Sequence, residues 1–164
     1  MSDIHLREIS ASELDKANQL VVAAIQSWDM PPRLLRLVAG THQYEAADFQ
    51  TMRLFLLDND NEETVGMLAV EDYPGEEAGC AERVLLLHGL YIHPEYHGRG
   101  FGRAAVSATQ HLARDGGFAG VLIKAHSSAK GFFNRLGLQH LPVRDDTTDY
   151  PYRYWWPASK GQQR

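Results

Sequence analysis

The sequence is poor in several features that define particular protein classes. It has one cysteine in 164 residues, Cys80, so no disulfide can form within the chain. Its longest apolar runs, such as residues 84–87, are far shorter than the ~18 residues that a membrane-spanning helix needs. The first residues show neither the basic region nor the apolar region of a secretory signal. We therefore expect a cytoplasmic protein with no membrane partner.

Positive charge is also in short supply. Lysine and arginine number 16 against 21 aspartate and glutamate residues, which gives a net charge of −5 and a pI of about 5.9. Proteins that hold nucleic acid by neutralising its phosphates are usually basic. The composition therefore predicts no nucleic-acid partner and favours small or basic molecules.

The residues that are present are typical of a globular domain. Hydrophobic residues make up 44% of the chain and charged residues 23%. A length of 164 residues suits one compact domain better than two. We predict a single domain over residues 1–157 and a flexible tail over residues 158–164.

Hydrophobic periodicity predicts a mixed order of strands and helices. Ser10 and Glu13 have the spacing of a capping box, and apolar residues at three- and four-residue steps predict a helix over 11–28. A second helix is expected from Arg33 to Ala39, closed by Gly40, and residues 41–48 are expected to form a loop. The predicted strands are 4–9, 49–57, 64–72, 84–92, 120–125, 139–143 and 152–155, and the further helices are 100–115 and 127–136.

The most informative segment joins the predicted central strand 84–92 to the helix 100–115. It carries Gly98, Gly100 and Gly102 at alternate positions. Glycine permits unusual backbone conformations and close approach of a ligand, and the N–H groups at a helix start can bind a pyrophosphate. Arg99 and Arg103 would add positive charge. From this loop alone, a glycine-rich turn with solvated arginines is an equal alternative.

Two other nucleotide-binding loops do not fit this segment. A Walker loop needs a lysine after its second glycine, and the sequence has no lysine between Lys16 and Lys124. Residues 100–105 fit a relaxed dinucleotide fingerprint, but that motif needs an acidic residue about 20 positions later. Residues 121–126 provide none.

Two motifs together resemble a known family. Residues 94–104, Pro-Glu-Tyr-His-Gly-Arg-Gly-Phe-Gly-Arg-Ala, resemble the acetyl-CoA-binding motif Gln/Arg-x-x-Gly-x-Gly/Ala of the GCN5-related N-acetyltransferases (GNAT). Gly100 and Gly102 match this motif, while His97 stands where Gln or Arg is usual. Residues 129–138, Ala-Lys-Gly-Phe-Phe-Asn-Arg-Leu-Gly-Leu, are similar to the family's later Ala-x-x-Phe-Tyr-x-x-x-Gly-Phe. Two motifs in the expected order are more specific than either alone.

The resemblance implies an α/β fold of the α+β type. The family has one domain with a mixed, mostly antiparallel sheet, helices on both faces and a splayed central pair of parallel strands. Here the resulting cleft would lie between Leu90–Ile92 and Leu122–Ala125.

The resemblance also implies acetyl-CoA (coenzyme A) as the cofactor. The strand before the glycine loop would offer main-chain hydrogen bonds to the pantetheine arm, and the pyrophosphate would take the N–H groups from His97 or Gly98 through Arg103. His126 stands where the family often has Asn, and Phe133 would pack near the cofactor sulfur. The predicted cofactor-binding residues are Leu90, Tyr91, Ile92, His97, Gly98, Arg99, Gly100, Phe101, Gly102, Arg103, His126 and Phe133.

The implied reaction is the transfer of an acetyl group to a primary amine of a small molecule or a protein. An ammonium must lose a proton before it can attack, and His88 is the leading candidate base because imidazole titrates near neutral pH. The alternative is a buried histidine with a structural role. The main-chain N–H of Tyr91 would stabilise the oxyanion. Phe133 replaces the tyrosine that serves many members as an acid, but a thiol with a pKa near ~8.5 can leave as thiolate.

Several alternatives stay open at this point. A module that binds acyl-CoA without catalysis is the runner-up, and a homodimer is possible. The acceptor would be chosen by residues 28–44, the acidic loop 71–82 and the C-terminal strands. His93 and His97 have the spacing of a metal pair, but Pro94 opposes a continuous helix through them, so we expect no metal site.

Overall fold

The structure is a computed structural model that describes residues 3–126, 129–143 and 152–158. Its strands are β1 (His5–Glu8), β2 (Met52–Asp58), β3 (Thr64–Pro74), β4 (Arg83–Ile92), β5 (Gly120–Lys124), β6 (Gln139–Leu141) and β7 (Arg153–Pro157). Its α-helices are α1 (Leu14–Gln26), α2 (Pro32–His42), α3 (Phe101–Asp115) and α4 (Lys130–Arg135). Within these ranges no helix combines the length and the apolar content that a membrane crossing requires.

The described strands form a seven-stranded sheet in the order β1-β2-β3-β4-β5-β7-β6. Strand β1 pairs antiparallel with β2, and β7 pairs antiparallel with both β5 and β6. Strands β4 and β5 pair in parallel, from Leu85 opposite Val121 to Leu87 opposite Ile123. This mixed sheet, mostly antiparallel with one parallel pair, confirms the predicted fold class, and β4 is its central strand.

The chain divides into two compact units. The first consists of Met1–Val70 and Gly89–Val106, and the second of Glu71–His88 and Ser107–Arg164. The C-terminal end of β4, the glycine loop and the start of α3 all belong to the first unit. The domain boundary at residue 157 stays a prediction.

The core of the first unit lies between α1 and the sheet. Apolar residues of α1 recur at three- and four-residue steps, so they share one face of the helix. This face joins one cluster with residues of β2, β3 and β4, and full burial of each large apolar side chain stabilises the fold by about 1.5–3 kcal/mol. The cluster includes Ala17, Leu20, Val21, Ala24, Ile25, Leu54, Leu56, Met67, Ala69 and Tyr91. It therefore fixes the part of β4 that precedes the glycine loop.

The core of the second unit forms around β5, whose apolar run from Gly120 to Ile123 is buried throughout. Residues Val84, Leu86, Leu122, Leu141 and Trp155 form one cluster there. Such continuous apolar runs are typical of a strand that is covered on both faces.

Three local predictions for the N-terminal third are wrong. The Ser10 hydroxyl does not cap the helix but lies 2.9 Å from that of Ser12, while Glu13 accepts a hydrogen bond from Arg7 at 2.8 Å. Helix α2 continues through Gly40 to His42, because tertiary packing of Ala39 outweighs the weak helix propensity of one glycine.

The third wrong prediction is a loop over residues 41–48 followed by a strand from residue 49. A capping box forms at Glu45, whose N–H donates to Asp48 Oδ2 at 2.7 Å, and a 3₁₀ turn occupies Ala46–Gln50. The strand predicted from residue 49 therefore begins only at Met52.

The ends of other elements also differ from the predictions. Ser127 and Ser128, where the last helix was expected to start, lie outside the described residues, and α4 covers Lys130–Arg135. Ala158 was expected in the flexible tail, but it is buried and its N–H donates to the Ala119 carbonyl at 2.8 Å. Residues 159–164 are not described.

Candidate active site

A tight turn links β4 to the glycine loop. Residues Pro94–Tyr96 form a 3₁₀ turn, in which the ring of Pro94 suits the first position because it has no N–H to satisfy. His93 caps this turn, since its Nδ1 accepts the Glu95 N–H at 3.2 Å. The turn reverses the chain immediately after the central strand.

His97 closes the turn from the other side. Its Nε2 lies 2.7 Å from the Ile92 carbonyl oxygen, and its own N–H donates to the Pro94 carbonyl at 3.2 Å. The N–H of His97 is therefore already used within the turn. Of the two starting points predicted for the pyrophosphate-binding N–H groups, the geometry favours Gly98. One ring nitrogen of His93 and one of His97 therefore form hydrogen bonds within this turn.

Two glycines of the loop have left-handed backbone conformations. Gly98 has φ of 75° and Gly100 has φ of 85°, values that cost other L-residues about 1–2 kcal/mol. Both are exposed, and a side chain at Gly98 would meet no atom within 4 Å. These glycines are required by backbone conformation and not by crowding.

Helix α3 begins directly after this loop. Its first main-chain bond runs from the Ala104 N–H to the Gly100 carbonyl at 3.1 Å. The N–H groups of Phe101, Gly102 and Arg103 therefore have no acceptor inside the helix, and the helix dipole makes this end positive. Phe101 is buried and anchors the helix start.

Two arginines lie at the start of α3. Arg99 and Arg103 are both exposed, and the Arg99 guanidinium lies over the Tyr96 ring, 5.4 Å from its centroid. Together with the N–H groups they make the start of α3 a region that favours a phosphate or pyrophosphate ligand.

The last residues of β4 lead into this region. Tyr91 is buried in the core of the first unit, whereas Leu90 and Ile92 are partly exposed on the opposite face of the strand. A Cβ at Gly66 on β3 would collide with the Tyr91 carbonyl oxygen, so a glycine at position 66 lets the two strands approach closely. Burial raises the pKa of the Tyr91 phenol to about 12.

The remaining predicted site residues belong to the second unit. His88 lies on β4 and is exposed. His126 follows β5, is partly buried, and its carbonyl accepts the Ala129 N–H at 2.9 Å.

Phe133 is buried in α4 and packs against the Tyr154 ring at 5.5 Å between centroids. Its neighbour Tyr154 carries a hydroxyl 2.7 Å from Asn134 Oδ1. Tyr154 lies on β7, which pairs with β5, and no sequence pattern indicates its contact with α4.

Two carboxylates of the acidic loop, residues 71–82, form ion pairs within the second unit. Glu77 forms ion pairs with Lys124 at 2.8 Å and Arg153 at 3.2 Å, and Asp72 pairs with Arg83 at 2.6 Å. Burial acts to raise the pKa of Glu77, but hydrogen bonds from Lys124, Tyr73 and Arg153 outweigh it and hold the pKa below its usual value. Two of the five acidic side chains in residues 71–82 are therefore paired with cations of the second unit.

Several solved structures share this fold. PaiA N-acetyltransferase from Thermoplasma acidophilum, in complex with coenzyme A, has a TM-score of 0.70 at 12% identity, covering 94% of this chain and 99% of that chain. AtaTR bound with acetyl-CoA has a TM-score of 0.62 at 16% identity, with coverages of 98% and 96%. AtaT complexed with acetyl-methionyl-tRNAfMet has a TM-score of 0.62 at 15% identity and covers 98% of both chains. No curated protein matches the sequence.

These likenesses bear on two predictions. Two of the structures hold coenzyme A or acetyl-CoA, which confirms the cofactor predicted for the fold family. The third contains a tRNA, so the prediction that net charge excludes a nucleic-acid partner is not supported. Overall charge is a poor guide because an acidic protein can still present a local basic surface.

The family itself is shown by the sequence. The model of the acetyltransferase (GNAT) family matches residues 22–138, which include β4, the glycine loop, α3, β5 and α4. The chain therefore belongs to the GNAT family of acetyltransferases.

Proposed function

We propose that the protein is an acetyl-CoA-dependent N-acetyltransferase that transfers the acetyl group to a primary amine of a small molecule or a protein, by direct attack in a ternary complex. The observation that carries this proposal is the row of main-chain N–H groups from Gly98 to Arg103, placed by left-handed glycines at the start of α3 in a chain of the GNAT family.

The donor set of this loop fits the diphosphate of coenzyme A. Main-chain N–H groups and the positive end of α3 favour an anion, and Arg99 and Arg103 supply two full positive charges nearby. The pantetheine arm would then run from this loop along the main chain of Ile92, Tyr91 and Leu90. By binding the Ile92 carbonyl, His97 ties the end of this strand to the loop.

The chemistry requires a base, an oxyanion donor and a leaving group. Bound acetyl-CoA supplies an acetyl thioester, whose carbonyl carbon accepts the amine. His88 takes the proton of the ammonium and passes it to solvent, since its side chain is exposed. The Tyr91 N–H stabilises the negative charge that develops on the carbonyl oxygen. The C–N bond forms, the C–S bond breaks and the sulfur leaves as thiolate, while the nitrogen releases its second proton to solvent as the amide forms.

No strong acid is needed for this step. Phe133 has no proton to give. Burial raises the pKa of the Tyr91 phenol to about 12, so this phenol keeps its proton at neutral pH and is a weaker acid than an exposed tyrosine. A thiol with a pKa near ~8.5 leaves readily as thiolate. We therefore assign His126 and Phe133 to cofactor contact rather than to proton transfer.

Two measurements test the proposal. Calorimetry should detect binding of coenzyme A, and Gly98→Ala should weaken that binding about tenfold, because a left-handed alanine costs about 1–2 kcal/mol and displaces the N–H groups. Gly79→Ala is the matched control, since Gly79 has φ of 71° and equally open surroundings in another loop. Equal affinities of the two variants would contradict the proposed binding loop.

A coenzyme A-binding module without catalysis is the second candidate, and the missing hydroxyl at Phe133 favours it. Release of free thiol from acetyl-CoA separates the two functions. The amine panel should include peptides, small amines and an aminoacyl-tRNA, because AtaT was solved with an acetylated aminoacyl-tRNA. Binding without thiol release for any amine would favour the module.

A further inference from the structure

Tyr44 is held in place more firmly than its position outside the helices suggests. It lies after α2 and is 5% exposed. Asn18 of α1 clamps its backbone from both sides, since Asn18 Nδ2 donates to the Tyr44 carbonyl and the Tyr44 N–H donates to Asn18 Oδ1, both at 2.8 Å. The direction of its side chain is therefore set by α1.

The phenol of Tyr44 reaches the central strand. A Cβ at Gly89 would collide with the Tyr44 hydroxyl oxygen and would lie 3.0 Å from Cε2 of Tyr91. The hydroxyl thus occupies the space that a side chain at position 89 would fill, and a residue larger than glycine would displace it. Burial raises the pKa of Tyr44, with Tyr91 and Asp48 acting in the same direction, so the phenol stays neutral.

This contact lies at the end of the strand segment that the proposed function gives to the cofactor. With the diphosphate at residues 98–103, the arm runs back along β4 through Ile92, Tyr91 and Leu90. Its acyl end then approaches Gly89, where the Tyr44 phenol is packed. A longer acyl chain extending in this direction meets a buried, clamped side chain.

We propose that Tyr44 is a specificity-determining residue that closes the acyl end of the site and restricts the enzyme to acetyl groups. The inference rests on the proposed function. It also gives Tyr44 a role toward the acyl donor, whereas the sequence assigned residues 28–44 to the acceptor.

The test compares acetyl-, propionyl-, butyryl- and hexanoyl-CoA as donors with one amine. For the wild-type protein, kcat/KM should fall at least about a hundredfold from acetyl- to butyryl-CoA, since butyryl adds two methylenes and each is worth roughly 10-fold or more in a closed pocket. Tyr44→Ala should raise the butyryl-to-acetyl ratio by a similar factor. Tyr44→Phe removes only the atom nearest Gly89 and should raise it less.

Leu20→Ala is the control, because it opens a cavity in the same core cluster, whereas the atoms nearest to a Cβ at position 89 belong to Tyr44 and Tyr91. It should lower stability and leave the donor ratio unchanged. If Tyr44→Ala does not fold, Tyr44→Phe and the binding affinities of acetyl- and butyryl-CoA for the wild-type protein decide the question.

The outcomes separate the two proposals. Wild-type protein that binds no acetyl-CoA overturns both. Wild-type protein that uses acetyl- and butyryl-CoA equally overturns the role of Tyr44 and leaves the proposed function standing. A Tyr44 variant that changes the preference among amines but not the donor ratio also overturns the role of Tyr44 toward the acyl group, because Tyr44 would then act on the acceptor.

Discussion

His88 illustrates what one residue contributes to the proposed reaction. The sequence predicts its position on β4, just ahead of the residues assigned to the cofactor. The sequence does not predict its exposure, since a histidine that follows a run of leucines is expected to be buried. The burial pattern of β4 shows four buried residues, Val84–Leu87, followed by an exposed His88. Exposure matters for a base because the proton it accepts must reach solvent.

Replacing His88 tests this role. His88→Gln should lower kcat/KM about a hundredfold near pH 7, where general-base catalysis contributes most. The loss should shrink toward pH 9, because a larger fraction of the amine is then already deprotonated. Steady-state rates across this pH range measure the effect.

His5→Gln is the control for this experiment. His5 is also exposed, and it pairs with Asp60 on the first unit at 3.2 Å. It should leave the pH profile unchanged. A His88→Gln profile parallel to that of the wild-type protein would remove the assignment of His88 as base.

At the scale of elements, loops divide into those fixed by their own sequence and those fixed by distant partners. The glycine loop belongs to the first kind, since its turn, its left-handed glycines and the start of α3 all lie within residues 93–104. The connection between β3 and β4 belongs to the second kind. Glu77 in that connection bonds to Lys124 on β5 and to Arg153 on β7.

Removing the charge of Glu77 should destabilise the second unit. Glu77→Gln is expected to lower the free energy of unfolding by about 1–3 kcal/mol at pH 7, because two cations lose a charged hydrogen-bond acceptor and Arg153 is almost fully buried. Urea titration measures the change. Glu76→Gln, at an exposed neighbouring position, should have little effect.

The pH dependence of this contribution has a defined sign. The pKa of Glu77 is lower in the folded protein than in the unfolded chain. Its stabilisation is therefore complete above the unfolded value of roughly 4.3 and is lost as the pH falls through the lowered folded value. Equal stabilities of Glu77→Gln and the wild-type protein at pH 7 would contradict this account.

At the scale of the whole molecule, binding of the cofactor should be visible as stability. Coenzyme A at about 100 times its dissociation constant should raise the free energy of unfolding by about 2.7 kcal/mol. Pantetheine lacks the diphosphate and does not engage the loop at residues 98–103. At the same concentration as coenzyme A it should therefore give a much smaller increase in the free energy of unfolding. Thermal unfolding with each ligand checks this, and equal stabilisation by both ligands would show that the diphosphate contributes little.

The net charge of −5 describes the whole molecule and not its surfaces. The sequence predicted from this charge that nucleic acid is excluded, yet a protein of the same fold was solved with a tRNA. Ion pairs such as Asp72–Arg83 neutralise one charge of each sign locally and leave the net charge unchanged. A homodimer, the cytoplasmic location and a primary amine as the acceptor stay predictions.

The sequence by itself determined the family, the fold class and the loop proposed to bind the diphosphate. These could be read because each depends on residues close together in the chain: three glycines, two arginines and the flanking strand and helix. Rules based on neighbouring residues failed where tertiary packing opposed them. A glycine is expected to end a helix, but Gly40 lies inside α2 and does not end it.

Only the tertiary structure decided which distant residues meet. The approach of Tyr44 to Gly89 and the bonds from Glu77 to Lys124 and Arg153 join segments far apart in the sequence. No periodicity or motif encodes such contacts, because they depend on how α1 and the strands pack after each has formed. For the same reason the sequence could name a base and a cofactor loop but not the side chain that we propose limits the acyl group.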